Sequence, residues 1–125
     1  MSVKNFTFPP QARLRKPGEF KFVLSGGRRL QEPPLTAVSK SNEVQRPRLG
    51  FAVSARSVPR AVDRNRIKRQ ARESFCLRRA QLPALDIVIL ARTGAGKTPA
   101  RELRAVLDRL WKKLCDISPK SPGKS

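Results

Sequence analysis

Residues 48–75 read RLGFAVSARSVPRAVDRNRIKRQARESF, and residues 82–92 read LPALDIVILAR. The first stretch opens as a strand over 48–54. Leu49, Phe51 and Val53 alternate with Gly50, Ala52 and Ser54, the period of two expected of a pleated chain. After Val58 the period changes. Ile67, Ala71, Ser74 and Phe75 share one narrow face of a helical wheel, and Asn65, Lys68, Arg69, Arg72 and Arg79 share the broad opposite face. This spacing predicts a helix over 58–79, with Pro59 in its first turn. Asp86 to Ala91 then runs apolar after its first residue, the pattern of a central strand buried on both faces.

The flanking segments complete the order. PGEFKFVLS at 17–25 predicts a short helix, since Phe20, Val23 and Leu24 fall at i, i+3, i+4, and Gly26-Gly27 stops it. Residues 35–39 are β-leaning, 28–31 more weakly so, and 40–47 read as a polar loop. Residues 93–99 read as a loop and 100–115 as an amphipathic helix, with Leu103, Val106, Leu107, Leu110, Trp111 and Leu114 on its apolar stripe. The order is α-β-β-β-α-β-α, which implies a mixed sheet packed on helices in a two-layer α+β sandwich. One domain is expected over 16–116. An extended arm is expected over 1–15, and a disordered basic tail over 117–125.

Charge narrows the function. The chain of 125 residues carries 28 Lys+Arg against 9 Asp+Glu, a net charge of +19. Such self-repulsion is relieved by a polyanion, and nucleic acid is the obvious one. From Arg60 to Arg79 stand eight basic residues (60, 64, 66, 68, 69, 72, 78 and 79) and two acids, Asp63 and Glu73. A helix that is merely solvated intersperses acids at i,i+4. An anionic membrane surface is the rival polyanion. No apolar run of about 18 residues is present to span a bilayer. The N-terminus lacks the apolar stretch of a signal peptide. A cytoplasmic protein without membrane contact is expected. There is no histidine, and Cys76 and Cys115 lie far apart without a CxxC pairing, so no zinc site of the usual kind is expected. Both thiols are expected to be ordinary buried or half-buried groups in a reducing compartment.

The ordered set Arg64-Asn65-Arg66, Ile67-Lys68-Arg69 and Arg72-Glu73 resembles the RNR signature of the bacterial ribonuclease P protein family. The flanks agree: RLGFAVSARSVPRAV before it, LPALDIVILAR and LRAVLDRLWKKLC after it, and GEFKFVL near the start. The resemblance covers about residues 13–115. It implies a protein that binds a catalytic RNA and assists endonucleolytic removal of the 5′ leader of precursor tRNA. In the family the catalytic centre and its Mg²⁺ belong to the RNA, so no catalytic or metal-holding residue is expected in the chain. Arg64, Asn65, Arg66, Lys68, Arg69 and Arg72 would contact the RNA. Arginine forks suit phosphates, and the Asn amide offers both donors and acceptors. The leader would lie in a cleft formed with Phe20, Leu24, Val38, Ser54, Arg56 and Arg92. Leu24 and Val38 stand where some members carry aromatics. The resemblance also implies a left-handed crossover between the strands at 48–54 and 86–91, against the usual right-handed rule, as in the second domain of a small-subunit ribosomal protein. The alternative is a ribosomal or general structured-RNA-binding protein.

One motif points elsewhere. ARTGAGKT at 91–98 fits a relaxed phosphate-loop pattern, with Lys97 for phosphate and Thr98 for Mg²⁺. Ala91 replaces the first glycine, Pro99 lacks an amide, and no later strand exists to present a metal-holding Asp. The expectation is a flexible basic loop and no nucleotide cofactor.

Overall fold

The computed structural model describes residues 13–14, 17–42 and 46–116. Seven main elements follow in order: α1 (Pro17–Gly26), β1 (Arg28–Glu32), β2 (Leu35–Ser41), β3 (Arg48–Ala52), α2 (Ala61–Arg78), β4 (Leu85–Ala91) and α3 (Ala100–Asp116). The sheet order is β1-β2-β4-β3. The β1–β2 and β2–β4 pairs are antiparallel, and β3–β4 is parallel. A parallel pair needs a long crossover, and the basic helix α2 supplies it. β4 is an interior strand, as the apolar run 87–91 implies.

One sheet face is closed by α2 and α3. Leu35, Ala37, Leu49, Ile87 and Ile89 pack there against Ile67, Ala71 and Phe75 of α2 and against the α3 stripe. All six α3 stripe residues are buried. Trp111 meets Phe75 edge-on at 5.8 Å, and its indole Nε1 donates to Ser74 Oγ at 2.6 Å. Ser74 Oγ in turn donates to Asp108 Oδ1 at 3.2 Å. The buried serine satisfies the indole N–H, which would be costly to bury alone.

The short helix α1 lies on the opposite face, in addition to the two main layers. Val23, Val38, Val88 and Leu14 are buried beneath it, and Phe20, Leu24, Ala52 and Leu90 are partly covered. Strand register lines up Lys40, Asp86 and Arg48 in one cross-sheet row on this face. Arg48 grips buried Asp86 in a fork, Nε to Oδ1 and Nη2 to Oδ2, both 2.8 Å. Arg48 Nη1 donates to Glu19 Oε2 of α1 at 3.2 Å, and Asn42 Nδ2 donates to Asp86 Oδ1 at 2.8 Å. These bonds satisfy the carboxylate that opens β4 and hold α1 to the sheet.

Three boundaries differ from the sequence reading by more than one residue. β2 extends to Ser41, because Lys40 and Ser41 pair with Asp86 and Leu85. β3 ends at Ala52, and the Val58 amide bonds back to the Ser54 carbonyl at 2.9 Å. That turn delays α2, so Arg60 is the residue before the helix and Pro59 lies outside it. Of the expected arm, Arg13 bridges Leu49 in parallel, and the Leu14 amide donates to the Leu49 carbonyl at 2.9 Å. The rest of the arm, residues 1–12 and 15, lies outside the described residues, as does the tail 117–125. Among the described residues no helix is long and apolar enough to cross a membrane.

Candidate nucleic-acid interface

The broad face of α2 carries the expected RNA-binding residues, but they do not share one environment. Arg64 Nη1 donates to the carbonyls of Val58 and Pro59, both at 2.9 Å, and so satisfies the backbone entering the helix. Arg66 reaches the loop after β4. Its Nη1 donates to the Thr98 carbonyl and its Nη2 to the Gly96 carbonyl, each at 2.6 Å. Asp63 Oδ1 stands 3.6 Å from the same guanidinium. Further along, Asn65 and Arg69 are exposed, while Lys68 and Arg72 are half-buried. Among the described residues, Lys68 and Arg69 enter no ion pair.

The loop over 93–99 is therefore pinned, not the flexible segment expected from its glycines. Ala95 is fully buried, Gly94 takes φ +102°, and Thr98 Oγ1 donates to the Gly94 carbonyl at 3.0 Å. The amides of Ala95, Lys97 and Thr98 donate to Arg92, Gly94 and Ala95 within the loop. A phosphate cradle needs such amides free. Here they are spent locally, and two of the loop's carbonyls face Arg66. The phosphate-loop reading fails on that geometry.

Lys68, Arg69 and Arg72 line a cavity of about 510 Å³ together with Phe20, Gly50 and Phe51. The cavity wraps the outer edge of β3. Phe20 approaches from the α1 side and rests on Gly50, where an added Cβ would lie 2.8 Å from the ring. Phe51 points to the α2 side, and the Arg72 guanidinium stands 5.9 Å from its ring centroid. The sequence does not mark Phe51 as a site residue, because its alternation with Gly50 and Ala52 reads equally well as core. Arg13, which also lines the cavity, was read only as part of the arm. The signal for both was that their strand is an edge strand, which a single sequence does not state.

The expected cleft residues separate into two groups. Phe20 and Leu24 cluster with Ala52 and Leu90 along the partly covered face. Val38 is completely buried beneath α1, with Val23 and Val88. It supports that face from below and cannot meet a ligand, a correction to its expected role. Ser54 and Arg56 are exposed in the turn after β3. Arg92 is exposed just beyond β4 and donates from Nη1 to Gln31 Oε1 at 3.2 Å. Ser54 and Arg92 each lie two residues beyond the Ala52–Leu90 pair, so both mark the end of the sheet away from the Arg48–Asp86 fork. Cys76 and Cys115 are half-buried thiols outside any disulfide, and burial raises the pKa of each.

The same arrangement recurs in known proteins. A family model described as Ribonuclease P matches residues 8–115. The ribonuclease P protein component of Proteus mirabilis strain HI4320 is 41% identical over 114 residues, covering 91% of this chain and 96% of the relative. That of Escherichia coli O157:H7 is 40% identical over 111 residues, covering 89% and 93%. Among solved structures, the Staphylococcus aureus RNase P protein superposes with a TM-score of 0.76 at 28% identity, over 82% of this chain and 94% of that one. The Thermotoga maritima RNase P protein, in complex with 1-(4-fluorophenyl)-2-thiourea, gives 0.73 at 26% identity, over 81% and 98%. An RNR-bearing crossover helix, a four-stranded mixed sheet and relatives matched over nearly their full length lead to one assignment: the chain belongs to the bacterial ribonuclease P protein family, the tRNA-processing subunit of an endoribonuclease complex.

Proposed function

We propose that this chain binds a catalytic ribonuclease P RNA through α2 and holds the 5′ leader of precursor tRNA along the α1 face of its sheet, in the cytoplasm. The reaction assisted is phosphodiester hydrolysis that leaves a mature tRNA 5′ end. The observation that carries this reading is the contiguity of Phe20 with Lys68, Arg69 and Arg72 around one cavity. A stacking aromatic and a run of uncompensated cations are the two components of single-strand binding. RNA helices, in turn, are recognised through phosphates and 2′-hydroxyls, which suits Asn65 beside arginines.

Mg²⁺ would be held by the RNA. A protein metal site needs carboxylates pooled around one point. Here Glu19 and Asp86 are paired to Arg48, Asp63 to Arg60 and Arg66, Glu73 to Arg104, Asp108 to Arg78, and Glu32 to Arg109 and Lys113. These acids are dispersed over the molecule, each facing a cation. The chain's own contribution is then to bind and orient the two RNAs.

The test is reconstitution. The protein alone, with Mg²⁺, should leave precursor tRNA intact. Added to ribonuclease P RNA, it should tighten binding of leader-bearing precursor more than that of mature tRNA. Cleavage by the protein alone would overturn the placement of catalysis in the RNA. Equal effects on both ligands would overturn the leader assignment.

A further inference from the structure

The β3-edge cavity sits where the two proposed RNA surfaces meet, and its lining has a chemistry that neither surface has alone. Two phenylalanine rings reach it from opposite faces of the sheet, and three cations of consecutive α2 turns rim it. Its volume of about 510 Å³ falls within the roughly 300–1,000 Å³ of small-ligand sites. A duplex is far too wide for such a space, whereas a single unstacked residue of RNA has the required parts. Its base is a flat apolar plate, and its phosphate is an anion. Phe51 is half-buried, its ring fixed by packing against the main core, with Arg72 beside it. Lys68 and Arg69 supply cations with no competing ion pair among the described residues. Glu73, held by Arg104 at 3.0 Å, borders the same space and offers an acceptor to an amino group on a base edge.

We infer that this cavity takes one unstacked nucleotide of the bound RNA, with its base against Phe51 and its phosphate on Lys68, Arg69 and Arg72. The inference deepens the RNA-binding reading and rests on it, but it specifies a base-dependent site where phosphate contacts alone would give none. Sequence-tolerant stacking of a base on an aromatic ring is the expected mode. The carboxylate of Glu73 would favour a base that carries an amino group, such as adenine.

The full chain is titrated with adenosine 5′-monophosphate, ribose 5-phosphate and inorganic phosphate, followed by residue-resolved NMR. The adenine nucleotide should bind roughly tenfold tighter than ribose 5-phosphate, the increment expected of one stacked base. Its shifts should centre on Gly50, Phe51 and residues 68–73. Phe51→Leu should remove the base-dependent increment and leave ribose 5-phosphate binding unchanged. Arg72→Gln should weaken all three ligands. Equal affinities for the nucleotide and ribose 5-phosphate in the wild type would overturn the proposal without reliance on any variant. So would shifts centred on Leu24, Leu90 and Arg92. Failure of the leader-discrimination assay with this result intact would instead overturn the leader reading alone.

Discussion

The first two turns of α2 and the stretch over 68–72 that follows carry the same kind of charge and do different things with it. In the first two turns, Arg64 and Arg66 donate to backbone carbonyls of their own chain. In the next turns, Lys68, Arg69 and Arg72 surround an open cavity. Arginine at a helix start can hold the polypeptide, and arginine one turn later can hold a ligand. The distinction depends on what backbone lies opposite. Arg66 faces the Gly96 and Thr98 carbonyls of the loop after β4, while Arg69 faces solvent. A basic motif therefore divides into cations spent on the fold and cations left open around a cavity, and mutagenesis should resolve the two.

The largest effect is expected where a cation holds the fold most completely. Asp86→Ala strips Arg48 of its buried partner. Breaking one half of a buried pair costs about 3–5 kcal/mol. Denaturant unfolding should show a loss of that order, with the salt slope of RNA binding unchanged. A loss under about 1 kcal/mol would break the comparison at its fold-holding end.

Arg66→Ala should come next. It removes two charge-assisted bonds from a partly exposed group, so a stability loss of about 2 kcal/mol is expected. Hydrogen exchange should rise at the amides of Ala95, Lys97 and Thr98. Arg66→Lys should recover little of this, since a point charge cannot bridge two carbonyls as a fork does. If the loop amides stay protected, Arg66 is not what pins them.

Arg69→Ala should show the opposite profile. Stability should stay within about 0.5 kcal/mol, as for surface substitutions generally. Affinity for ribonuclease P RNA should fall by about 1–2 kcal/mol, and the slope of log K against log salt should shrink by about 0.7–0.9, one phosphate's worth. Phe20→Ala tests the neighbouring aromatic. Binding of leader-bearing precursor should weaken by about 1–3 kcal/mol relative to mature tRNA. An equal fall for both, accompanied by loss of stability, would make Phe20 a packing residue only.

The smallest effect concerns a surface clasp far from either turn. Glu32 on β1 accepts from Lys113 at 2.5 Å and from Arg109 at 2.8 Å on α3. Lys113 first, then Arg109, lower its pKa below the ordinary carboxylate value. A carboxyl with a depressed folded-state pKa adds stability above its ordinary pKa and loses it as pH falls through the folded-state value. Thermal melts of Glu32→Gln should therefore lie below wild type by at most about 1 kcal/mol near neutral pH. The two proteins should converge in acid, below the folded-state value.

How far the sequence alone reaches can be judged at particular residues. The α3 stripe and the buried face of α2 were legible, including Ser74, because a period of 3.6 records which side of a helix is covered. The interior position of 86–91 was legible from the apolar run that follows Asp86. The RNR signature indicated RNA. Pairings between distant segments were not legible. Nothing local to Arg66 names Gly96 and Thr98 as its partners, and nothing local to Val38 reveals that α1 lies on it. The Glu19–Arg48–Asp86–Asn42 network joins four segments, and each member reads in isolation as a solvated charge or polar loop residue.

Gly50 has a consequence for how the groove could be tuned. An added Cβ there would lie 2.8 Å from both Leu14 and Phe20. The incoming arm and the first helix thus rest on bare backbone at the same point, and a single methyl group would act as a shim beneath both. Because β3 is paired along its length to β4, the displacement would pass outward to the aromatic wall and change the width of the opening. One position with no side chain of its own would therefore set the width of that opening.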